Sequence, residues 1–300
     1  MTIQATSAKE KSKPRLLFLS PSMKGPFILV LAAICIGLAP IGLRFSSMEP
    51  SATAFWRFTF ALPLLFLAAR IFKQHIGRPN LAVLLAGACL SLDICIWHLA
   101  LVKTSVANAT FIVNLGAIAV GLWAWLFLKQ RPSLMWPLAA LLAVTGAAVM
   151  AYSAPNARAG NLEGDSLALL ASLSLSGYLL FASIGRRTKT GFQTVFWMTA
   201  SGIVVAFIFT ITMGEPIVPP HIREFGGAIF LAIFAQSLGQ GLIVYGMGLT
   251  KPAIAGVILL IQPVVAGLLA WPLFNEALAL TQIGGAALIL IGVWLAGKSK

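Results

Sequence analysis

The amino-acid sequence predicts an all-α membrane protein of ten transmembrane helices, arranged as two inverted five-helix repeats with both termini in the cytoplasm. The chain is too apolar for a soluble domain, since 59% of its 300 residues are hydrophobic, 10% are charged and the mean hydropathy is +0.93. Runs such as 83–86 and 258–261 do not alternate in polarity, which excludes a transmembrane barrel. The apolar stretches and their landmarks recur about half a chain apart, which indicates an internal repeat.

Ten stretches have the length of about 20 apolar residues that a membrane-spanning helix requires. Glycine, proline, arginine and lysine residues separate them. The predicted spans are 24–44, 52–72, 80–101, 104–126, 133–152, 165–186, 192–213, 224–248, 252–273 and 280–297. We expect each of them to cross the membrane once.

The two halves of the chain carry matching landmarks in the same order. The pairs are Phe55-Trp56 with Phe196-Trp197, Lys103 with Lys251, Trp123 with Trp271 and Gly146 with Gly292, at offsets of 141 to 148 residues. Each half contains five spans, an odd number. The second half must therefore cross the membrane in the opposite direction to the first, as in transporters built from inverted repeats.

The sequence divides into four parts by this interpretation. They are a basic cytoplasmic tail (1–22), a first repeat (23–152), a periplasmic linker (153–164) and a second repeat (165–300). The apolar patch at 16–19 is too short for the core of a signal peptide. We therefore expect the tail to lie against anionic headgroups of the membrane.

The 21 lysine and arginine residues indicate the orientation of the chain. With a cytoplasmic N-terminus, sixteen of them lie on the cytoplasmic side, four lie on the outer side, and Arg57 lies within a span. The positive-inside rule then places both termini in the cytoplasm. We expect the membrane to be a bacterial inner membrane. The net charge of +13 records this topology, and we expect no nucleic-acid partner.

Several function classes lack the residues that they require. The chain contains no Gly-x-Ser-x-Gly, His-Glu-x-x-His or Walker motif, so we expect neither an enzyme nor a cofactor. All three cysteines fall inside spans, which offers no disulfide framework or metal site. No loop is long enough for a nucleotide-binding domain, and no span has the acidic ring of a channel. A secondary transporter remains.

Ionisable residues inside spans are candidates for function because a charge in the bilayer is costly. Arg57 lies near the outer end of span two, where it can snorkel outward or pair with Asp93 of span three. Asp93 is the best candidate for a site residue, as a proton carrier or as the partner of a substrate amine. Trp97 shares its face at i+4. His98 lies about 140° around the helix from Asp93, which argues against a direct proton relay.

Uncharged polar residues form a second set of candidates. Asn114 and Gln262 are equivalent positions of the two repeats near mid-span, so we expect them to flank the substrate site. Their alternative role is to hold helices together by hydrogen bonds. The further candidates for substrate binding are Asn108, Tyr178, Gln236, Gln240 and Tyr245. Gln236 and Gln240 share one helix face at i+4, and Tyr245 is the repeat equivalent of Trp97.

Two predicted spans contain helix breaks that could act as hinges. Span one has Pro40 between Gly37 and Gly42, and span nine has Pro263 directly after Gln262. Proline removes a backbone hydrogen bond and clashes with the preceding turn. We expect kinks at both places. Small residues also form stripes on spans five and ten, the latter through Gly284 and Gly292, for close helix packing within or between subunits.

These features resemble the drug/metabolite transporter superfamily with two EamA-type repeats, and most of all its amino acid exporters of the YddG type. The resemblance rests on Arg57-Phe58, Lys251-Pro252-Ala253, Gln262-Pro263, Phe274-Asn275-Glu276 and the spacing from Gly284-Gly285 to Gly292. It implies a cavity lined by spans 1, 3, 4, 6, 8 and 9, with spans 5 and 10 outside. The first repeat departs from the family pattern, with Leu115 and Gln130 where the second has Pro263 and Glu276.

We therefore expect an exporter of amino acids, with aromatic ones among the candidates, that works by alternating access. Its expected partners are membrane lipid and a small-molecule substrate, and its expected state is a monomer or weak dimer. Proton coupling, exchange and facilitated diffusion all stay open. The alternatives are a multidrug or other metabolite carrier and a non-transporting scaffold or receptor. Cation drug pumps of this superfamily rely on a membrane-embedded glutamate, and no span here has one at its centre.

Overall fold

The computed structural model describes residues 21–104, 106–153, 161–274 and 278–298. Within these ranges the regular structure is helical, with no strand, and one helical unit corresponds to each predicted span. Nine units are long and apolar enough to cross a membrane, and the tenth has 17 residues. Most of the predicted tail 1–22 and of the predicted linker 153–164 lies outside the described residues.

The ten units are numbered α1 to α10 in chain order, and no predicted boundary differs from the observed one by more than three residues. They are α1 (Pro21–Gly37, continued by Ala39–Arg44), α2 (Pro50–Ile71), α3 (Leu81–Lys103), α4 (Val106–Leu128), α5 (Trp136–Tyr152), α6 (Leu162–Gly185), α7 (Gly191–Thr212), α8 (Ile222–Met247), α9 (Pro252–Leu259, continued by Gln262–Phe274) and α10 (Leu280–Lys298).

Local sequence explains where several helices begin. The Asn80 side chain caps α3 by accepting a hydrogen bond from the backbone N–H of Val83 at 2.9 Å. Thr190 and Gln193 form a reciprocal capping box at the start of α7. Proline occupies the first turn of α2, α5 and α9, where a missing backbone N–H costs nothing.

Helix packing follows an approximate two-fold relationship between the halves. The α3–α6 contact has its counterpart in α8–α1, the α4–α6 contact in α9–α1, and the α3–α7 contact in α8–α2. Three further pairs, α2–α7, α4–α9 and α5–α10, join equivalent helices of the two repeats. The repeated landmarks of the sequence therefore correspond to a repeated arrangement of helices.

Two tryptophans that matched in the sequence make reciprocal contacts. Trp56 on α2 donates its indole N–H to the carbonyl oxygen of Ile217, in the loop after α7, at 2.6 Å. Trp197 on α7 donates to the carbonyl oxygens of Ile76 and Gly77, in the loop after α2, at 3.3 and 3.2 Å. Each repeat thus secures its second helix to a loop of the other repeat.

The ends of the helices gather on two sides of the bundle. On the side where α2 begins, here called distal, Glu215 accepts hydrogen bonds from the backbone N–H groups of Ser51 and Ala52 at 2.9 and 3.0 Å. A carboxylate suits this helix N-terminus because the helix dipole is positive there. On the opposite, proximal side, Asn80 donates to the Thr188 hydroxyl at 2.9 Å.

Both predicted helix breaks are present. α1 ends its first segment at Gly37 and resumes at Ala39, with Pro40 in the first turn of the new segment. α9 stops at Leu259 and resumes at Gln262, directly before Pro263. Gly42 lies inside the second segment of α1, not at the break, and an added Cβ there would meet the Phe230 ring at 2.6 Å. Hinge motion at these breaks stays a prediction.

A third irregularity, which the sequence did not indicate, lies in α8. Residues Leu231–Gln240 form a π-helical stretch between two α-helical segments. The Ser237 hydroxyl bonds to the carbonyl of Ala232, five residues earlier, at 2.7 Å. Departures of this kind are frequent at functional sites, and this one carries Gln236 and Gln240.

The small-residue stripes pack α5 against α10 within one chain. A Cβ added to Gly285 would lie 2.7 Å from the Gly146 carbonyl oxygen, and one added to Gly292 would lie 2.7 Å from that of Ala139. A Cβ on Gly284 would meet nothing within 4 Å. The sequence assigned Gly284 to the contact face, and the structure corrects this to its neighbour Gly285.

Candidate functional site

A cavity of about 140 Å³ lies where the two repeats meet. It is lined by α1, α2, α3, α4, α6, α8 and α9 and by neither α5 nor α10, which agrees with the expectation except for α2. Its polar lining residues are Arg57, Asp93, Trp97, Thr110, Asn114, Tyr178, Gln240 and Gln262. Most of the remaining lining is aliphatic, so the polar groups stand in apolar walls.

Asp93 lines the cavity from α3 and is buried. Its Oδ1 atom is shielded from the surroundings and has no hydrogen-bond donor among the described residues. Trp97, one turn further along, also lines the cavity, and its buried indole N–H has no acceptor in the part of the chain that the structure describes. Unsatisfied buried groups are costly, about 1–3 kcal/mol each. Both groups are therefore available to a bound molecule.

Arg57 does not snorkel to the membrane surface. Its side chain is 7% exposed and lines the same cavity as Asp93. Its Nε–H donates to Oε1 of Gln236 on α8 at 3.2 Å, and Gln236 Nε2 donates to the Thr199 hydroxyl on α7 at 3.1 Å. The loop after α7 contacts this end of α2 through the Ile217 carbonyl, which accepts from Trp56, and through the Glu215 carboxylate.

Gln236 therefore positions Arg57 and does not itself line the cavity. Its neighbour on the helix, Gln240, does line the cavity. The sequence placed the two amides on one face at i+4, yet they serve different contacts. Gln240 Oε1 accepts the phenol hydrogen of Tyr178 on α6 at 2.5 Å, in a buried position.

The Tyr178–Gln240 bond crosses the proximal part of the cavity, and Ile243 lines the cavity closer still to that side. Each residue lies seven positions before the proximal end of its helix, about 10 Å from that end. Below it, the Nε–H of Arg186 donates to the Val244 carbonyl at 3.0 Å, and Arg186 also bonds to the Lys189 carbonyl. Burial lowers the pKa of the Arg186 guanidinium from its ordinary value. α6 and α8 are thus joined twice on this side.

Asn114 and Gln262 both line the cavity, as the equivalence of the repeats predicts. α4 and α9 approach closely beside them, since a Cβ added to Gly256 would lie 1.6 Å from the Ala117 carbonyl oxygen. The Asn114 amide nitrogen donates to the Thr110 carbonyl of its own helix at 2.9 Å. The Gln262 amide has no protein hydrogen bond within the described ranges, which leaves it free for a ligand.

His98 faces away from the main cavity, as its angle from Asp93 indicated. Its Nδ1 lies 2.9 Å from the Pro50 carbonyl oxygen, which can only accept, so Nδ1 carries the proton. His98 lines a second cavity of about 20 Å³ together with Arg57 and Trp97. That volume is about the space of one water.

Two candidate residues do not reach the site. Tyr245 is 50% exposed and lies beside Gly191 at the start of α7. It therefore lies outside the cavity, contrary to the expectation from its equivalence to Trp97. Asn108 lies on α4, but its side chain is outside the described residues. Among the described residues, no group of three His, Cys, Asp or Glu side chains could hold a metal ion.

The sequence predicts a snorkelling or paired role for Arg57, whereas the structure places its side chain in the cavity wall. The available signal was its type, because a cation inside a span has to find a partner or a cavity. Depth along the helix was misleading, since it takes no account of the loop that covers this end of α2.

Comparison with known proteins agrees with this architecture. The EamA-like transporter family matches the chain twice, over residues 23–152 and 162–297. An "Uncharacterized transporter" of Archaeoglobus fulgidus is 24% identical over 275 residues, covering 91% of this chain and 96% of the relative. The "Uncharacterized transporter YwfM" of Bacillus subtilis is 27% identical over 216 residues, covering 70% of this chain and 71% of the relative.

A solved structure described as "Crystal structure of protein" has the same fold. It superposes with a TM-score of 0.79 at 18% identity and covers 92% of this chain and 96% of its own. The fold, the double family match and the relatives named as transporters lead to one conclusion: the chain is a transporter that belongs to the EamA-like transporter family.

Proposed function

We propose that this transporter exports amino acids from the bacterial cytoplasm by alternating access, with the cavity between the repeats as the substrate site. The resemblance of the sequence to amino acid exporters supports this substrate class. The observation that carries the proposal is the pair of opposite charges in the cavity wall, Asp93 and Arg57. They form no ion pair with each other in the part of the chain that the structure describes.

The size and charge of the cavity favour a small zwitterion over a drug. Pockets for drug-sized ligands measure about 300–1,000 Å³, whereas this cavity measures about 140 Å³. A lipophilic cation could approach Asp93, but the guanidinium of Arg57 in the same wall repels it. An amino acid presents both charges and leaves the occupied cavity neutral. A multidrug carrier is therefore the weaker alternative.

Alternating access is supported by the arrangement of the two halves. The cavity is bounded by helices of both repeats, and its lining includes Gly37, Pro40 and Pro263 at the two helix breaks. Proline and glycine breaks in membrane helices tolerate local rearrangement. Related motions of the two repeats would close one side of the cavity while they open the other.

The proximal side corresponds to the cytoplasm in this proposal, because it carries the excess of lysine and arginine. A single cysteine introduced at Lys189, in a chain without its three native cysteines, tests the orientation. In intact cells, a membrane-impermeant maleimide should leave this cysteine unlabelled and should label it after permeabilisation. Labelling in intact cells would reverse the orientation.

The substrate class is tested with purified protein in proteoliposomes. Labelled leucine, phenylalanine, serine and lysine are compared with a cationic dye in counterflow, with protein-free liposomes as the background. We expect saturable exchange of the amino acids that carry no side-chain charge and none of the dye. Exchange of the dye alone would favour the multidrug alternative.

A further inference from the structure

We propose that the cavity holds a free α-amino acid in one orientation, with its ammonium group at Asp93 and its carboxylate at the Nη groups of Arg57. This inference rests on the proposed function and assigns a role to each charge. It predicts that recognition requires both ends of the amino acid.

Asp93 has the properties of an ammonium site. Asp93 is 7% exposed, and its Oδ1 atom has no donor within the described ranges. The neighbouring lining residues of its helix, Leu90 and Ile94, are aliphatic and supply no hydrogen bond. A buried carboxylate requires a cation or several donors. An ammonium group supplies a charge and three donors.

Arg57 has the properties of a carboxylate site. Its Nε–H is occupied by Gln236, whose amide is held in turn by Thr199. The Nη groups have no protein acceptor within the described ranges. A guanidinium held by one edge presents its other N–H groups in a fork that matches a carboxylate. The chain Thr199–Gln236–Arg57 therefore orients the free donors before substrate arrives.

The two sites differ in depth when residues are counted along their helices from the distal ends. Arg57 lies seven residues, about 10 Å, from the distal start of α2, and Asp93 lies ten residues, about 15 Å, from the distal end of α3. The axial offset of about 5 Å suits the short backbone of an amino acid, with hydrogen bonds at both ends. The substrate thereby bridges two buried groups that form no ion pair with each other among the described residues.

Molecules that lack one of the two groups should be rejected. A bound amine would leave Arg57 without an anion, and a bound carboxylic acid would leave Asp93 without a cation. Sites built around buried polar groups discriminate strongly against ligands that leave those groups unpaired. The side chain of the substrate faces aliphatic walls and should matter less than its backbone.

Leucine and two analogues of the same shape test this inference in the wild-type protein. Each compound competes with labelled leucine in counterflow. The competitors are leucine itself, 3-methylbutylamine, which lacks the carboxylate, and 4-methylpentanoate, which lacks the amine. We expect the inhibition constants of both analogues to exceed that of leucine by about 100-fold or more. If either analogue inhibited as strongly as leucine, the assignment would be overturned. This test needs only the wild-type protein.

Two substitutions then test which residue binds the carboxylate and which binds the ammonium group of the substrate. Arg57→Gln should reduce the preference for leucine over 3-methylbutylamine at least tenfold and should leave the discrimination against 4-methylpentanoate. Asp93→Asn should have the reverse effect. Two controls should retain both preferences. Arg70→Gln lies on an exposed part of the same helix, and Glu163→Gln removes one partner of an exposed ion pair with Lys103.

The outcomes separate this inference from the proposed function. Exchange of leucine with unchanged preferences in both variants would refute the orientation and leave amino acid transport standing. If the wild-type protein exchanges no amino acid, the proposed function itself fails. Arg57→Lys and Asp93→Glu keep the charges and should recover part of the lost preference, which a purely structural role would not produce.

Discussion

Arg57 on α2 donates its Nε–H to Oε1 of Gln236 on α8 at 3.2 Å, and this bond holds a guanidinium inside the cavity wall. The two residues belong to different repeats. Their contact therefore depends on the relative position of the two halves, which alternating access would change. The affinity of the site for a carboxylate should differ between the two states for this reason.

Substitution of Gln236 tests whether it positions Arg57. Gln236→Leu removes the acceptor, and hydrogen bonds to charged groups contribute about 1.5–3 kcal/mol. We expect the KM for the amino acid substrate to rise roughly ten- to a hundredfold with intact folding. Gln236→Glu should also raise KM, because a carboxylate there would pair with Arg57. Ser237→Ala, which affects only a bond within α8, is the control.

Gln262 provides a second test of the cavity. Its amide has no protein hydrogen bond among the described residues, so Gln262→Ala should leave thermal stability unchanged. We expect uptake of amino acids into proteoliposomes to fall several-fold. Asn114→Ala is the matched substitution in the other repeat and also removes the bond to Thr110. Wild-type uptake in Gln262→Ala would assign Gln262 to helix packing alone.

The Tyr178–Gln240 bond should control access from the proximal side. Tyr178→Phe removes the phenol that bonds to Gln240 and should raise the population open on that side. In a background with Cys35 and Cys95 replaced by serine, we expect N-ethylmaleimide to label Cys89 several-fold faster. Cys89 precedes the cavity residue Leu90 and lies beside α6 at Gly177.

Tyr245→Phe is the control for this experiment, because Tyr245 is on the same helix as Gln240 but outside the cavity. In this variant, Cys89 should be labelled at the same rate as in the background without the Tyr178 substitution. Equal labelling rates in the two variants would show that the Tyr178 bond does not limit access.

Leucine substitutions at two adjacent glycines of α10 test how α5 packs against α10. Gly285→Leu places a side chain against the backbone of α5 and should destabilise the fold by about 1–3 kcal/mol, as overpacking does. Gly284→Leu faces open space and should be neutral. Thermal unfolding in detergent measures both. Equal unfolding temperatures of the two variants would contradict the finding that Gly285, and not Gly284, faces α5.

The predicted spans and repeats agree closely with the structure because they depend on apolar length and on landmark order, which are local properties. Asn114 and Gln262 could be assigned to the cavity because equivalent positions in two related repeats lie near the shared axis. Tyr245 was assigned by the same equivalence to Trp97, and there it failed. The π-helical stretch before Tyr245 changes the rotation of α8, which a fixed offset between repeats cannot represent.

Arg57 shows a second limit of the sequence. Its depth in α2 allowed snorkelling, and only the tertiary contacts of Trp56 with the loop after α7 and of Gln236 with the guanidinium turn it inward. Gln236 and Gln240 show the same limit. Their i+4 spacing predicts a shared helix face, but it does not predict that one contacts Arg57 and the other Tyr178.

The most direct measurement is a structure of the protein, made with ordinary methionine, in the presence of free selenomethionine as the ligand. Anomalous scattering from selenium locates the bound amino acid without ambiguity from the protein. The proposed function predicts one selenium peak in the cavity, and the inferred orientation predicts ligand density that joins Asp93 and Arg57. A bound amino acid located elsewhere, with the cavity empty, would contradict it.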